Sequence, residues 1–280
     1  MNGTLTALQR PGEASGEHRL QFIEPTQAGG PLILLLKPEG EARPMPLAVC
    51  VHGYTRQPLD QLNAFAPLAA RLGFALAVPL FDERQHRRYQ QLLHPRRGTR
   101  SDLSLLAALD AAAPRHGIDA GRLFLFGHSG GAQFVHRFAM CHPQRTAALA
   151  IGAAGWYTWP DPQQAWPLGL ADAQDRLGAP IDLAHFLRLP MALWVGERDT
   201  ATDAHLRDEP QLASVQGAHR LARARNWSDA VRSAGQARGK NASTGSRRQG
   251  TICRPLTVAC GSATSPMSRV PCCTRDKASC

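Results

Sequence analysis

A chain of 280 residues with 43% hydrophobic content can bury one large core or two small ones, and no apolar run in it reaches the ~20 residues of a membrane span. Residues 1–20 contain no apolar stretch of the kind a secretory leader carries, so the default expectation is a cytoplasmic protein that does not engage a membrane. The formal charge of +10 points to no acidic partner for the folded part, because residues 232–280 hold nine Lys/Arg against the single acid Asp276; nucleic-acid binding is therefore not expected.

In chain order, residues 19–25 (RLQFIEP) and 31–38 (PLILLLKP) predict an opening antiparallel pair of strands bounded by Gly and Pro clusters. The continuous apolar run 46–53 (PLAVCVHG) predicts a strand covered on both faces. Leu62, Phe65, Ala66, Ala69 and Leu72 then share one face of a helix that Gly73 stops. Residues 74–81 (FALAVPLF) read as the next buried strand, which Pro79 should end near residue 78. A polar, basic connection over 82–100 leads to a helix capped by Ser101 and limited by Pro114. Residues 122–129 (RLFLFGHS) predict a third buried strand, 130–140 a helix ending before Pro143, and 146–155 a fourth strand. Strand and helix alternate, so the fold class is α/β with a mainly parallel central sheet and helices on both faces.

Residues 156–180 interrupt that rhythm with three Trp and four Pro, and predict a short cap-like excursion over one end of the sheet. The rhythm resumes with a strand over 189–199 and a helix over 219–234. After Trp227 there is no aromatic residue, and Leu256 is the only leucine. Such a tail cannot bury enough apolar area to offset its ordering entropy, so residues 1–231 are expected to form the domain and 232–280 a disordered or foreign tail. The last core strand is then expected to be missing. Five of the seven cysteines lie in the last 28 residues without paired spacings, so no metal site is expected, and Cys50 and Cys141 read as small buried hydrophobes.

Gly127-His128-Ser129-Gly130-Gly131 has the form G-x-S-x-G between a strand and a helix. A tight turn there would lift the serine hydroxyl above the sheet, and small neighbours permit the turn. A nucleophilic serine needs an oxyanion hole of two backbone N–H groups, expected from Gly130 and from Tyr54 in the loop after His52-Gly53. It also needs a carboxylate to orient a histidine; Asp199 after Gly196 is the candidate, with Glu197, Asp203 and Asp161 as competitors. Trp156, Tyr157 and Trp159 either line an apolar substrate pocket or pack the excursion onto the body. Arg87, Arg88, Arg96 and Arg97 read as a solvated basic loop that could attract a substrate carboxylate, and His128 and His136 as packed inside the fold.

Together VHGYT, FGHSGG and VGERD, in this order, resemble the α/β-hydrolase family, and in particular its single-domain serine esterases related to polyhydroxyalkanoate depolymerases. The resemblance covers roughly residues 20–231. It implies hydrolysis of a small carboxylic ester, or of a lactone by the same machinery, through an acyl-enzyme on Ser129 and without a cofactor. It also implies a triad in the order Ser, Asp, His. After Asp199 only His205 and His219 remain, neither preceded by a last core strand, and His219 is the weakly favoured candidate. A catalytically impaired binding protein is the alternative, since the triad histidine is not evident.

The missing strand, the missing histidine and the change of composition coincide, which is what translation out of frame beyond about residue 232 would produce. Gly261-Ser262-Ala263-Thr264-Ser265 can be encoded GGC TCG GCC ACT TCG, and the same bases read two positions later give Leu-Gly-His-Phe.

Overall fold

Strands and helices alternate through most of the chain, and a computed structural model describes residues 18–25, 29–38, 44–94, 100–202, 206–207, 209–242 and 257–261. β1 (His18–Ile23) and β2 (Leu32–Pro38) form the expected antiparallel pair, and β2 continues antiparallel onto β4 (Ala75–Leu80). β4 lies parallel to β3 (Met45–Val51), followed outward by β5 (Ile118–His128), β6 (Thr146–Gly152), β7 (Met191–Gly196) and β8 (Thr257–Gly261), all parallel. The sheet order is β1-β2-β4-β3-β5-β6-β7-β8.

Alternation along the central strands sorts side chains to two faces. Ile33 and Leu35 of β2 join a large core with β3, β5 and β6, while Leu34 and Leu36 join a smaller one under α1 (Pro58–Leu72). α2 (Ser101–His116), α3 (Gly130–Cys141) and α7 (Arg220–Ala242) pack into the large core through Leu105, Phe134 and Trp227. Two short helices, α4 (Ala173–Leu177) and α5 (Leu183–Phe186), follow the Trp/Pro excursion, and α6 (Pro210–Gln216) precedes α7. Helices therefore lie on both faces, as expected. Beyond α1 the smaller face is only partly covered: Phe124 on β5 is 47% exposed, and Ala148, Ala150 and Trp194 beside it are half-buried.

Gly73 ends α1 at φ 68°, the left-handed position expected of it. Five other expectations need correction. Pro79 sits inside β4, because β3 leaves β4 after Ala77 and the strand there has a free edge that tolerates a missing N–H. Pro114 lies in the last turn of α2, where it removes one helical bond without stopping the helix; and Arg100, not Ser101, is the N-cap. The last core strand is present: Thr257–Gly261 pairs in parallel with β7 along its outer edge. A five-residue edge strand needs only the backbone groups β7 offers, so it carries no long apolar run that would reveal it. The boundary expected at residue 231 falls inside α7.

Candidate active site

Ser129 occupies the turn between β5 and α3 at φ 53° and ψ −111°, a region that costs a residue with a Cβ about 1–3 kcal/mol. Its N–H donates to Gly152 O at 2.8 Å, and its carbonyl accepts the Gln133 N–H at 3.2 Å. The flanking glycines follow from crowding. A Cβ on Gly127 would lie 2.2 Å from Gly131 O, and one on Gly131 would lie 2.1 Å from Val51 O. Only hydrogen fits at either place, so the strand can turn straight into the helix and leave Ser129 half-exposed at the sheet's end.

β3 ends at Val51, and the following loop crosses the N-terminus of α3. A Cβ built on Gly130 would be 3.2 Å from the Tyr54 nitrogen, and one on Gly53 would be 3.8 Å from Ser129 Cβ. The two expected oxyanion donors, Tyr54 and Gly130, are thus adjacent and beside the serine.

Two buried side chains, His52 and Tyr89, and the half-buried Arg56 brace this loop. His52 Nε2 accepts the Phe81 N–H at 3.0 Å, so its proton resides on Nδ1, which donates to Gly53 O at 2.9 Å. Burial lowers the His52 pKa to about 4, against smaller contributions from the Gly53 carbonyl, which raises it, and Arg56, which lowers it; the ring is neutral at pH 7. Tyr89, fully buried, directs its hydroxyl to His52 O (2.8 Å) and Gly53 O (3.0 Å), and burial pushes its phenol above the ordinary range. Arg56 lies 5.1 Å from the centre of the Tyr89 ring and donates to Phe81 O and Glu83. The sequence reading missed Tyr89 and Arg56, whose partners are backbone carbonyls distant in sequence.

On the other side of Ser129 the partners differ from those expected. Asp199 follows β7 in a turn closed by its own N–H on Gly196 O (3.1 Å), and its carboxylate stands 3.4 Å from Arg220 Nη1 rather than against a histidine. His219 caps α7: its Nδ1 accepts the Ala222 N–H at 3.2 Å and its carbonyl the Arg223 N–H at 3.0 Å. That helix start places His219 near Asp199 in the chain path while engaging the ring nitrogen elsewhere. His205 and Asp203, like Arg96 and Arg97, lie outside the described residues. Asp161 is used locally, accepting the Gln163 N–H at 2.8 Å, and Glu197 is exposed. His136 is buried as expected, with Nε2 accepting the Thr158 N–H at 3.0 Å. His128 is not: it is exposed next to Ser129, close enough to Asp199 and Arg220 for both charges to act on it.

Trp156 and Tyr157 are enclosed in the body instead of lining an opening, which corrects the pocket reading for both. Tyr157 stacks on Trp227 at 4.8 Å between ring centres, and its backbone is clamped by the Gln216 amide at 2.9 and 2.8 Å. Trp156 lies against the Arg137 guanidinium, 4.0 Å from the ring centre. Trp159 is half-buried, its backbone N–H donating to Leu168 O at 2.8 Å. An opening of about 550 Å³ lies beside Tyr54 and reaches Pro167 and Leu168 of the excursion. Among the described residues no three His, Cys, Asp or Glu are grouped to hold a metal, and no helix is long and apolar enough to cross a membrane.

No family model and no curated protein matches the chain. Solved structures do. Poly(aspartic acid) hydrolase-1 from Sphingomonas sp. KT-1 is 24% identical, with a TM-score of 0.67 over 80% of this chain and 88% of that one. The poly(3-hydroxybutyrate) depolymerase LpqC from Bordetella parapertussis is also 24% identical, with a TM-score of 0.66 over 90% of this chain and 85% of that one. MPT51 of Mycobacterium tuberculosis, 16% identical, gives 0.51 over 79% and 87%. What these share with the present chain is the fold, and that fold is the α/β-hydrolase fold.

Proposed function

We propose that the protein hydrolyses small carboxylic esters through an acyl-enzyme on Ser129. The observation that carries this reading is the Ser129 backbone, held at φ 53° between two glycines that admit no side chain. A turn serine with no chemical task would relax or be replaced by glycine; strain kept by surrounding packing marks a position where the side chain itself is required.

In the proposed reaction Ser129 Oγ attacks the ester carbonyl carbon and its proton passes to a base. The oxyanion that forms accepts hydrogen bonds from the Tyr54 and Gly130 N–H groups, the latter at the positive end of α3. The alcohol leaves with that proton, and water then releases the acid by the same steps. Neutral His52 and Tyr89 fix the oxyanion loop before substrate arrives, so no binding energy is spent on ordering it. A lactone would follow the same course with the alcohol retained on the acyl chain. Two proteins of similar fold, a hydrolase and a depolymerase by name, support a hydrolytic role.

The base is the open position. Asp199, in the turn after β7, is the acid this reading assigns, but Arg220 faces it and His219 caps a helix. A frame change is compatible with the residues: Gly261 ends β8 level with Gly196, three residues before Asp199, and codons permitted for Gly261-Ser262-Ala263-Thr264-Ser265 allow Gly-His when read two bases later. A histidine supplied there would follow the strand next to the acid. The chain as written, without one, should retain on the order of 10³–10⁴-fold acceleration over water from the oxyanion hole and binding.

Purified protein and Ser129→Ala, assayed on p-nitrophenyl butyrate, test the reading. Release by the parent above that of the variant is expected; equal rates would remove Ser129 as nucleophile and leave a binding protein on a hydrolase fold. Sequencing the gene after codon 231 tests the frame: no Gly-His in any frame of this region ends that explanation.

A further inference from the structure

The geometry points to a subsite for a carboxylate-bearing substrate in the cleft beside Tyr54, formed by Arg56, Arg87, Arg88, Arg176 and Arg207. The inference rests on the ester-hydrolase reading of Ser129 and names the class of ester. At about 550 Å³ the cleft suits a small molecule, and Tyr54, whose N–H is assigned to the oxyanion, forms one of its walls. A substrate with its carbonyl oxygen on that N–H therefore has this cleft next to its acyl or alcohol portion.

The charge of the cleft is assembled by the fold. Its guanidinium groups come from four separate segments: Arg56 from the oxyanion loop, Arg87 and Arg88 from the connection after β4, Arg176 from α4 and Arg207 from the segment before α6. Three carboxylates oppose the five. Glu83 pairs with Arg56 and, at 3.8 Å, with Arg87, Asp172 pairs with Arg176 at 3.8 Å, and Glu209 pairs with Arg207 at 2.7 Å. The surplus is positive. The sequence shows only the adjacent pair Arg87 and Arg88, which by itself reads as a solvated loop.

A second observation sits behind the cleft wall. Arg137 of α3 is fully buried and donates to Thr158 Oγ1 (2.8 Å), to Gln133 O (3.2 Å) and to the carbonyl of Gln90, itself a cleft residue. No carboxylate pairs with it among the described residues, and its Nη2 has no acceptor. Its guanidinium and that of Arg207 both lie over Trp156, at 4.0 and 4.8 Å from the ring centre. Burying a cation without a counter-ion is costly, and the two guanidinium charges repel. An anion in the cleft offsets both penalties. Arginine forks also match a carboxylate in two-point geometry, which sets the ligand class.

Two esters separate this subsite from the esterase reading: p-nitrophenyl valerate and the mono-p-nitrophenyl ester of glutarate, which carries a carboxylate where valerate has its terminal methyl. With the full chain in 20 mM salt, glutarate ester cleavage should exceed valerate ester cleavage about 10-fold in kcat/KM, and the advantage should collapse in 500 mM salt. Arg88→Glu, on the exposed connection, should lower the glutarate-to-valerate ratio about 10-fold, and Arg88→Lys should restore part of it. A ratio near one, insensitive to salt and to Arg88→Glu, would overturn the subsite while leaving esterase activity standing. If neither ester acylates Ser129, the esterase reading fails instead, and calorimetric titration of glutarate into Ser129→Ala decides the cleft. Binding that weakens with salt and with Arg88→Glu supports it; no binding overturns it.

Discussion

Around Ser129 the backbone leaves no freedom: glycines on each side admit only hydrogen, the N–H is taken by Gly152 O, and the facing loop is held by His52, Tyr89 and Arg56. Around Asp199 the support among the described residues is its own N–H on Gly196 O, the Leu221 N–H on its carbonyl at 3.2 Å, and one partly exposed ion pair with Arg220. The two regions meet over the same sheet end, yet one is fixed by steric exclusion and buried hydrogen bonds and the other by two backbone bonds and a side-chain pair that water screens. The proposed nucleophile and oxyanion donors thus lie in the tightly packed part of the molecule, and the proposed acid lies in the part with fewer buried contacts.

Replacing Gly131 by Ala should have the largest effect, because its Cβ meets the backbone of Val51 at 2.1 Å and backbone cannot step aside cheaply. A loss of about 3 kcal/mol or more is expected in urea unfolding, with ester cleavage abolished. An unchanged unfolding midpoint would show that the elbow is not packed as described.

His52→Gln comes next. Keeping His52 neutral in the fold, with a pKa near 4, favours the folded state while both states are neutral. As pH falls from about 6.5 toward 4 the unfolded chain takes up this proton and the folded one does not, so stability is lost across that window by at most about 3 kcal/mol. Unfolding midpoints at pH 7 and 4.5 should differ more for the parent than for His52→Gln; equal differences would separate His52 from the acid response. At pH 7 the variant should cost about 1–3 kcal/mol if its amide fails to accept the Phe81 N–H.

A smaller effect, of opposite sign, tests the strain. Ser129→Gly should stabilise the fold by about 1 kcal/mol, since glycine adopts φ 53° freely, and should eliminate acylation at the same time. Ser129→Ala should change stability little. Smallest of all, Asp199→Asn should alter ester cleavage by less than about 3-fold in this chain, because among the described residues no histidine is hydrogen-bonded to its carboxylate. Where a complete triad operates, the corresponding loss is about 10⁴-fold. A loss of that size here would mean that a base is present and in place.

What could be read from sequence follows the same division. The strands before His52 and Ser129 are uninterrupted apolar runs, and the glycines of the elbow are dictated by backbone contacts, so both are written locally. Tyr89 and Arg137 were not legible, because they sit in polar or mixed segments and act on carbonyls and rings brought near by the fold. Trp156 and Tyr157 have the composition of a pocket wall and the burial of a core, which sequence alone does not distinguish. β8 carries no apolar run, and Arg220 facing Asp199 depends on where α7 begins.

Labelling with a fluorophosphonate probe, followed by peptide mapping by mass spectrometry, addresses the nucleophile itself. One adduct, on the peptide containing Ser129 and lost in Ser129→Ala, is the expected result; no adduct, or one that persists in Ser129→Ala, would contradict the assignment of Ser129 as the acylated residue.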